Sequence, residues 1–217
     1  MFFLPKRNLH ILLMVIVLIF FTWSAIKPAY YLIWIAEVAP ALLAITVISF
    51  LYKRFPFTTL SYTIIAFVTI LMFIGGHYVY SNVPLFDWLK DHWNLKRNHY
   101  DRFGHLMKGL IVIIIREILI RKTTLGKGAW LNWIAASITL AIAALYEIIE
   151  WLAAKLTGGG KASEDFLGTQ GDVWDTQWDM FLTLFGAMLA LLLFSRMHNT
   201  LLRREIGIKN IHDKEEK

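Results

Sequence analysis

The chain has 217 residues, of which 57% are hydrophobic and 18% are charged. Soluble domains carry about 25% charged residues, and the apolar residues here stand in long blocks, which is typical of a protein that lies in a lipid bilayer. The sequence contains no cysteine, so disulfides, thiolate metal sites and cysteine nucleophiles are excluded. The net charge of +6 falls mainly at the ends of the apolar blocks, which favours membrane topology over nucleic-acid binding as its explanation.

Six apolar segments are long enough to cross a bilayer as helices, for which about 20 residues are needed. The first follows Lys6 and Arg7 and exceeds the apolar core of a signal peptide, about 7–15 residues, so we expect it to remain as a helix. The sequence therefore predicts an all-α membrane protein, with residues 1–217 in a single integral membrane domain and a bundle of about six transmembrane helices. The predicted spans are about 9–26, 31–51, 57–79, 99–120, 130–154 and 176–198.

The segment between the third and fourth spans has an amphipathic pattern. Leu85, Trp88, His92 and Trp93 recur there at helical spacing, with charged residues between them. Tryptophan is enriched at the depth of the lipid headgroups, so the pattern predicts a short interfacial helix. A plain aromatic belt explains these tryptophans at least as well as a lid over a functional site.

The distribution of Lys and Arg predicts the orientation of the bundle. Twelve of them flank the spans on the side of the N-terminus, and six lie on the opposite side. Because cytoplasmic loops carry the excess of Lys and Arg, both termini are expected in the cytoplasm. The predicted location is a bacterial plasma (inner) membrane, which the chain crosses several times.

Ionisable residues converge on one side of the predicted bundle. Asp101, His105 and Lys108 share a face at the start of the fourth span, and Glu147 and Glu150 lie near the end of the fifth. The sixth span is opened by three aspartates at spacings of three and four, namely Asp172, Asp175 and Asp179. These ends all lie on the same side of the membrane, which is the outer side in the predicted orientation.

Ionisable residues within membrane spans are energetically costly and usually functional. Carboxylates this close together must share protons, pair with a basic side chain or bind a cation. A set of carboxylates and histidine without thiols suits a divalent cation such as Mg²⁺, Mn²⁺, Fe²⁺ or Zn²⁺. The candidate metal ligands are Glu147, Glu150, Asp172, Asp175 and Asp179.

The same residues could instead provide a general acid and a general base with unequal pKa values. The candidate catalytic residues are His105, Glu147 and Asp179. The candidates for binding a substrate or a lipid headgroup are Asp101, Arg102, Lys108, Gln170 and Gln177.

Simpler roles compete with these functional ones. Asp175 and Asp101 each stand where an acidic residue can cap a helix and interact with its dipole. Arg116 and Glu117 lie toward the opposite end of the fourth span and are expected at the membrane interface.

Three segments together resemble the YjdF-like family of bacterial inner-membrane proteins. They are residues 101–105, 146–151 and 168–180. The resemblance covers about residues 99–195 and implies a multi-pass inner-membrane protein.

The same order of motifs is more distantly similar to the VanZ-like proteins linked to glycopeptide resistance. This chain departs from their pattern at Glu150, where a glutamine is usual, and at Thr183, where an asparagine is expected. The residues that match the VanZ-like motif positions are Asp101, His105, Glu147 and Asp179.

The leading functional hypothesis is a membrane-embedded enzyme that acts on a lipid or cell-envelope intermediate at the outer leaflet. The alternative is a small transporter or a proton or cation relay, which predicts polar residues that continue to the inner face. A third possibility is a polar network that only fixes helix packing.

Overall fold

The computed structural model describes residues 5–156 and 166–207. In this part of the chain all regular secondary structure is helical, and no strand occurs. The all-α prediction is confirmed. The helices are α1 (Lys6–Ala25), α2 (Tyr31–Leu51), α3 (Thr59–Tyr78), α4 (Pro84–His92), α5 (Tyr100–Lys108), α6 (Val112–Lys122), α7 (Ala129–Leu156) and α8 (Asp175–Ile206).

Five of these helices, α1, α2, α3, α7 and α8, are long and apolar enough to cross a membrane. Their outward faces carry large apolar side chains such as Leu32, Phe50 and Leu192, which are 83%, 81% and 77% exposed. A contiguous apolar surface of this kind is unfavourable in water but suits contact with lipid tails. The structure is therefore a helical membrane bundle, as the sequence predicts.

The fourth predicted span differs from the single helix expected over residues 99–120. It consists of α5, a 3₁₀ turn at Gly109–Ile111, and α6. The turn lies where this span packs closely against α8. A Cβ atom at Gly109 would lie only 2.6 Å from Thr183 O and 2.5 Å from the Ala187 amide nitrogen. Sequence periodicity could not reveal this break, since it coincides with a contact between distant segments.

The helices alternate in direction, so their ends meet at two levels. At one level α2, α5 and α8 begin, α1, α3 and α7 end, and α4 connects α3 to α5; we call this the α4 end. The short helix predicted between the third and fourth spans is present as α4; its Leu85 and Trp88 side chains are exposed, as is Trp93 directly after it. Its position at the membrane interface stays a prediction. At the core of the bundle, α3, α6, α7 and α8 share one apolar cluster, while α1, α2 and α3 share a second.

A buried polar network lies at the opposite end of the bundle. Glu117 accepts hydrogen bonds from the backbone N–H and hydroxyl of Thr58 and from the hydroxyl of Ser61, and Arg116 contacts His198 at 2.9 Å. Arg116 and Glu117, which the sequence places near the membrane interface, are buried inside the bundle and are 3% and 0% exposed. The start of α3 and the end of α8 cover this part of α6, and Arg116 also donates to Asn132 of α7, so these residues join four helices.

Candidate functional site

A buried cluster of ionisable side chains lies near the α4 end, centred on His105. The His105 Nε2 atom is 3.6 Å from Asp101 Oδ1, 3.7 Å from Glu147 Oε1 and 3.2 Å from Lys108 Nζ. Asp179 of α8 completes the group that we call the His105 cluster. Asp101, His105 and Lys108 share one face of α5 because they are spaced by one and two helical turns, and this face packs against α8.

Two carboxylate oxygens in the His105 cluster have no hydrogen-bond partner in the described part of the chain. They are Glu147 Oε1 and Asp179 Oδ1, and the two residues are 7% and 2% exposed. Buried polar atoms in folded proteins are nearly always hydrogen-bonded. Each of these oxygens is therefore suited to hold a proton, a cation or a polar group of a ligand.

Three members of the cluster could ligate one metal ion. One ligand atom each from Asp101, His105 and Asp179 lie within 4.8 Å of one another. Two carboxylates and an imidazole form a donor set that suits Mn²⁺, Fe²⁺ or Zn²⁺. Lys108 Nζ lies 3.2 Å from the same His105 Nε2 atom, so a cation bound to that nitrogen would have to displace the ammonium group.

Two of the five predicted metal ligands interact with arginines instead. Asp175 forms an ion pair with Arg97, and Asp172 forms one with Arg102. The pKa of Asp172 is lowered because the backbone N–H of Trp174 donates to its carboxylate and Arg102 lies beside it. Both aspartates are therefore bound to arginines and are not part of the His105 cluster.

Helix capping does not explain the aspartates. Asp175 is the first residue of α8, and its carboxylate binds Arg97 rather than a backbone N–H. Asp101 lies within the first turn of α5, which begins without a side-chain cap, and it faces His105. Neither aspartate caps its helix with a side-chain hydrogen bond, although both lie in the first turn, where an acidic group interacts favourably with the helix dipole.

Arg97 is a buried residue of this region that sequence reasoning missed. Besides binding Asp175, it donates to the Gly168 carbonyl at 3.0 Å. Gly168 has a φ of +65°, and a Cβ atom there would lie 3.2 Å from Asp101 Oδ2. Arg97 thus fastens the loop before α8 over the cluster. It lies in a loop, where helical periodicity gives no signal.

The two predicted glutamine ligands lie away from the His105 cluster. Gln170 accepts from the backbone N–H of Asn98 and donates to its carbonyl, both at 2.9 Å. Gln177 is exposed on α8 beside Trp174 and Trp178. The backbone pairing of Gln170 fixes the loop, while Gln177 faces the surroundings of the protein.

Glu37 of α2 and Glu150 of α7 add further buried carboxyl groups, at 3% and 9% exposure. Tyr146 donates to Glu37 at 3.0 Å, and the Lys108 ammonium lies 4.6 Å from the centre of the Tyr146 ring. Among the described residues the buried carboxyls Glu37, Asp101, Glu147, Glu150 and Asp179 outnumber the cation Lys108. Protons or a bound cation must balance the remaining charge, because unpaired buried carboxylates are costly.

Comparisons with known proteins identify the family. No solved structure matches this chain. The inner membrane protein YjdF of Escherichia coli (strain K12) is 40% identical over 174 residues, which cover 80% of this chain and 82% of that protein. Residues 9–200 match the family described as "Predicted membrane protein (DUF2238)". The resemblance to YjdF-like proteins is confirmed, whereas the similarity to VanZ-like proteins stays a prediction. The chain belongs to the DUF2238 family of membrane proteins.

Proposed function

We propose that this protein is an enzyme of the bacterial inner membrane that performs acid–base chemistry on the polar end of a lipid or lipid-linked cell-envelope intermediate. The observation that carries the proposal is the position of His105, whose Nε2 atom lies 3.6 Å from Asp101 and 3.7 Å from Glu147. An imidazole beside two buried carboxyls can exchange protons with them and with a bound substrate. The relative from Escherichia coli is named an inner membrane protein, which supports the location.

The proposed roles follow from these positions. His105 and Glu147 act as the general acid and base, one accepting a proton from the attacking group and the other giving one to the leaving group. Asp101 orients the imidazole. If Asp101, His105 and Asp179 instead held a divalent cation, that cation would polarise the substrate and Glu147 alone would act as the base. The distances from His105 to Asp101 and Glu147 are longer than a hydrogen bond, and catalytic hydrogen bonds often tighten only when the substrate is bound.

We propose that the His105 cluster faces the extracytoplasmic side of the membrane, with both termini in the cytoplasm. The excess of Lys and Arg on the side of the termini supports this orientation. Four of the residues in that count, Lys161, Lys209, Lys214 and Lys217, lie outside the described residues.

The structure offers less support for a proton or cation relay. A relay needs polar groups between the His105 cluster and the network around Glu117 at the opposite end. The intervening part of the described bundle is mainly apolar, and its core cluster includes Val68, Val112 and Ile113. A site open from one end explains this arrangement more simply than a path across the membrane does.

The proposed activity can be tested by comparing lipid extracts of cells that lack the protein and produce wild-type protein or a variant. We expect wild-type protein to change the amount of at least one lipid or lipid-linked species, measured by mass spectrometry. His105→Asn and Glu147→Gln should abolish the change, because each removes a proton-transfer group while preserving side-chain size.

The matched control is Asp91→Asn, which removes a carboxylate from an exposed position of α4. It should act as the wild type does at equal protein levels in the membrane. The proposal fails if the lipid extracts are the same with and without wild-type protein, or if the His105 and Glu147 variants remain fully active.

A further inference from the structure

An apolar chamber lies beside the His105 cluster, toward the middle of the bundle. Its volume is about 310 Å³, at the lower end of the range of about 300–1,000 Å³ that small-molecule pockets occupy. Aliphatic side chains of α2, α3, α6 and α7 form most of its wall. A chamber of this size and lining suits a hydrocarbon chain.

The chamber has one polar end. His105, Lys108 and Thr183 line it there, whereas Ile48 and Ile65 line it farther toward the opposite end of the bundle. Among the described residues, none of the ion pairs includes Lys108. Its ammonium contacts His105 and lies over aromatic rings, so it remains able to donate to an anionic group. A ligand that fills this site would have an apolar tail and a negatively charged head.

The chamber opens sideways between α2 and α7. Ala44 of α2 and Ile142 of α7 both line it and are both exposed, which requires an opening at that seam. The two helices belong to different parts of the bundle, since α2 packs against α3 while α7 packs against α6 and α8. The hydrogen bond from Tyr146 to Glu37 bridges the seam near the α4 end. On the side of that bridge away from the α4 end, the exposed apolar residues Ala44 and Ile142 flank the opening, which would therefore face lipid in a bilayer.

We propose that the chamber holds one hydrocarbon chain of a phosphate-bearing membrane lipid, which enters between α2 and α7 and places its phosphate against Lys108. Lysine is a common phosphate ligand, and a phosphate here would also adjoin the proposed cation. The inference deepens the proposed function by naming its substrate class. The seating of the chain itself depends only on the chamber and its opening.

Chain occupancy can be measured by photocrosslinking in vesicles. The full-length protein is reconstituted with phosphatidic acid that carries a diazirine near the end of one acyl chain, and labelled residues are mapped by mass spectrometry. We expect labelling of Val68 and Thr69, which line the chamber and are only 6% and 4% exposed. Lipid outside the protein does not reach these side chains.

Two variants close the chamber, and one serves as a matched control. Ala143→Phe fills the chamber wall, and Ala44→Phe blocks its opening at an exposed position that tolerates a larger side chain. Each should reduce labelling of the buried α3 residues at least fivefold. Ala141→Phe, at an exposed position of α7 outside the chamber, should leave it unchanged. Equal labelling in wild type and Ala44→Phe, or labelling of exposed residues only, would overturn the proposal.

The headgroup is tested with the same acyl label on diacylglycerol, which lacks the phosphate. Wild-type protein should be labelled several-fold more by phosphatidic acid, and Lys108→Met should remove this preference without preventing labelling. Equal labelling of wild type by both lipids would refute the phosphate assignment. His105→Asn separates the two proposals, since it should abolish the change in cellular lipids yet retain chain labelling.

Discussion

The close contact between α5 and α8 predicts that Gly186→Ala destabilises the protein, although the same replacement in an isolated helix would be stabilising. A Cβ atom added at Gly186 would collide with the Leu106 carbonyl oxygen and lie 3.0 Å from the carbonyl carbon. These atoms belong to a neighbouring helix backbone, which cannot rotate away as a side-chain tip can. Gly186→Ala must therefore move α5 and α8 apart, and α5 carries Asp101 and His105.

The expected magnitude combines two opposing effects. Replacing a helical glycine with alanine stabilises a helix by about 0.5–1 kcal/mol. Overpacking a well-packed contact costs about 1–3 kcal/mol, and a backbone obstacle falls toward the upper limit. We expect Gly186→Ala to lower the free energy of unfolding by about 2 kcal/mol.

Gly104 provides a matched control within α5. A Cβ atom there would lie 3.6 Å from the Tyr80 ring, an ordinary van der Waals contact. Gly104→Ala should therefore raise the free energy of unfolding by about 0.5–1 kcal/mol. The assay is reversible unfolding in mixed detergent micelles, monitored by circular dichroism. The reasoning is refuted if Gly186→Ala is as stable as wild type, or if both variants lose the same stability.

Three further predictions concern the loop and the cation site near the α4 end. Arg97→Met should lower the free energy of unfolding by about 3 kcal/mol, the lower end for a broken buried ion pair, because the buried Asp175 then keeps only its contact with Arg102, at 3.7 Å. Lys96→Met, at an exposed position, should change it little in the same assay. Mn²⁺ at 100 times its dissociation constant should stabilise the wild type by about 2.7 kcal/mol, an effect that Asp179→Asn abolishes and Asp172→Asn retains. Lys108→Met should tighten Mn²⁺ binding in titration calorimetry, because the ammonium no longer competes for His105. Unchanged Mn²⁺ affinity in Lys108→Met would contradict the assignment of the cation site to His105, and so would an equal loss of Mn²⁺ stabilisation in Asp179→Asn and Asp172→Asn.

The architecture could be read largely from the sequence. Apolar runs of the length of a bilayer predict the helical bundle, and the tryptophan pattern predicts α4. The alternation of helix direction also brings the start of α5, the end of α7 and the start of α8 to one level. For this reason Asp101, His105, Glu147 and Asp179 were expected together before their distances were known, and the structure brings them together.

The partners of individual charges were decided only by the tertiary structure. Sequence spacing assigns Asp172, Asp175 and Asp179 to one stripe, yet two of them bind arginines and the third faces His105. The loop conformation around Gly168 brings Arg97 to Asp175, and no helical period describes that loop.

The break in the fourth span and the chamber also depend on contacts between segments far apart in the chain. Gly109 meets the backbone of α8, and the chamber lies among helices drawn from nearly the whole chain. Helix formation and membrane insertion follow from local composition, because each residue meets lipid or its own helix independently of distant sequence. Close packing and charge pairing depend on which distant atoms meet, so they emerge only when the helices have assembled.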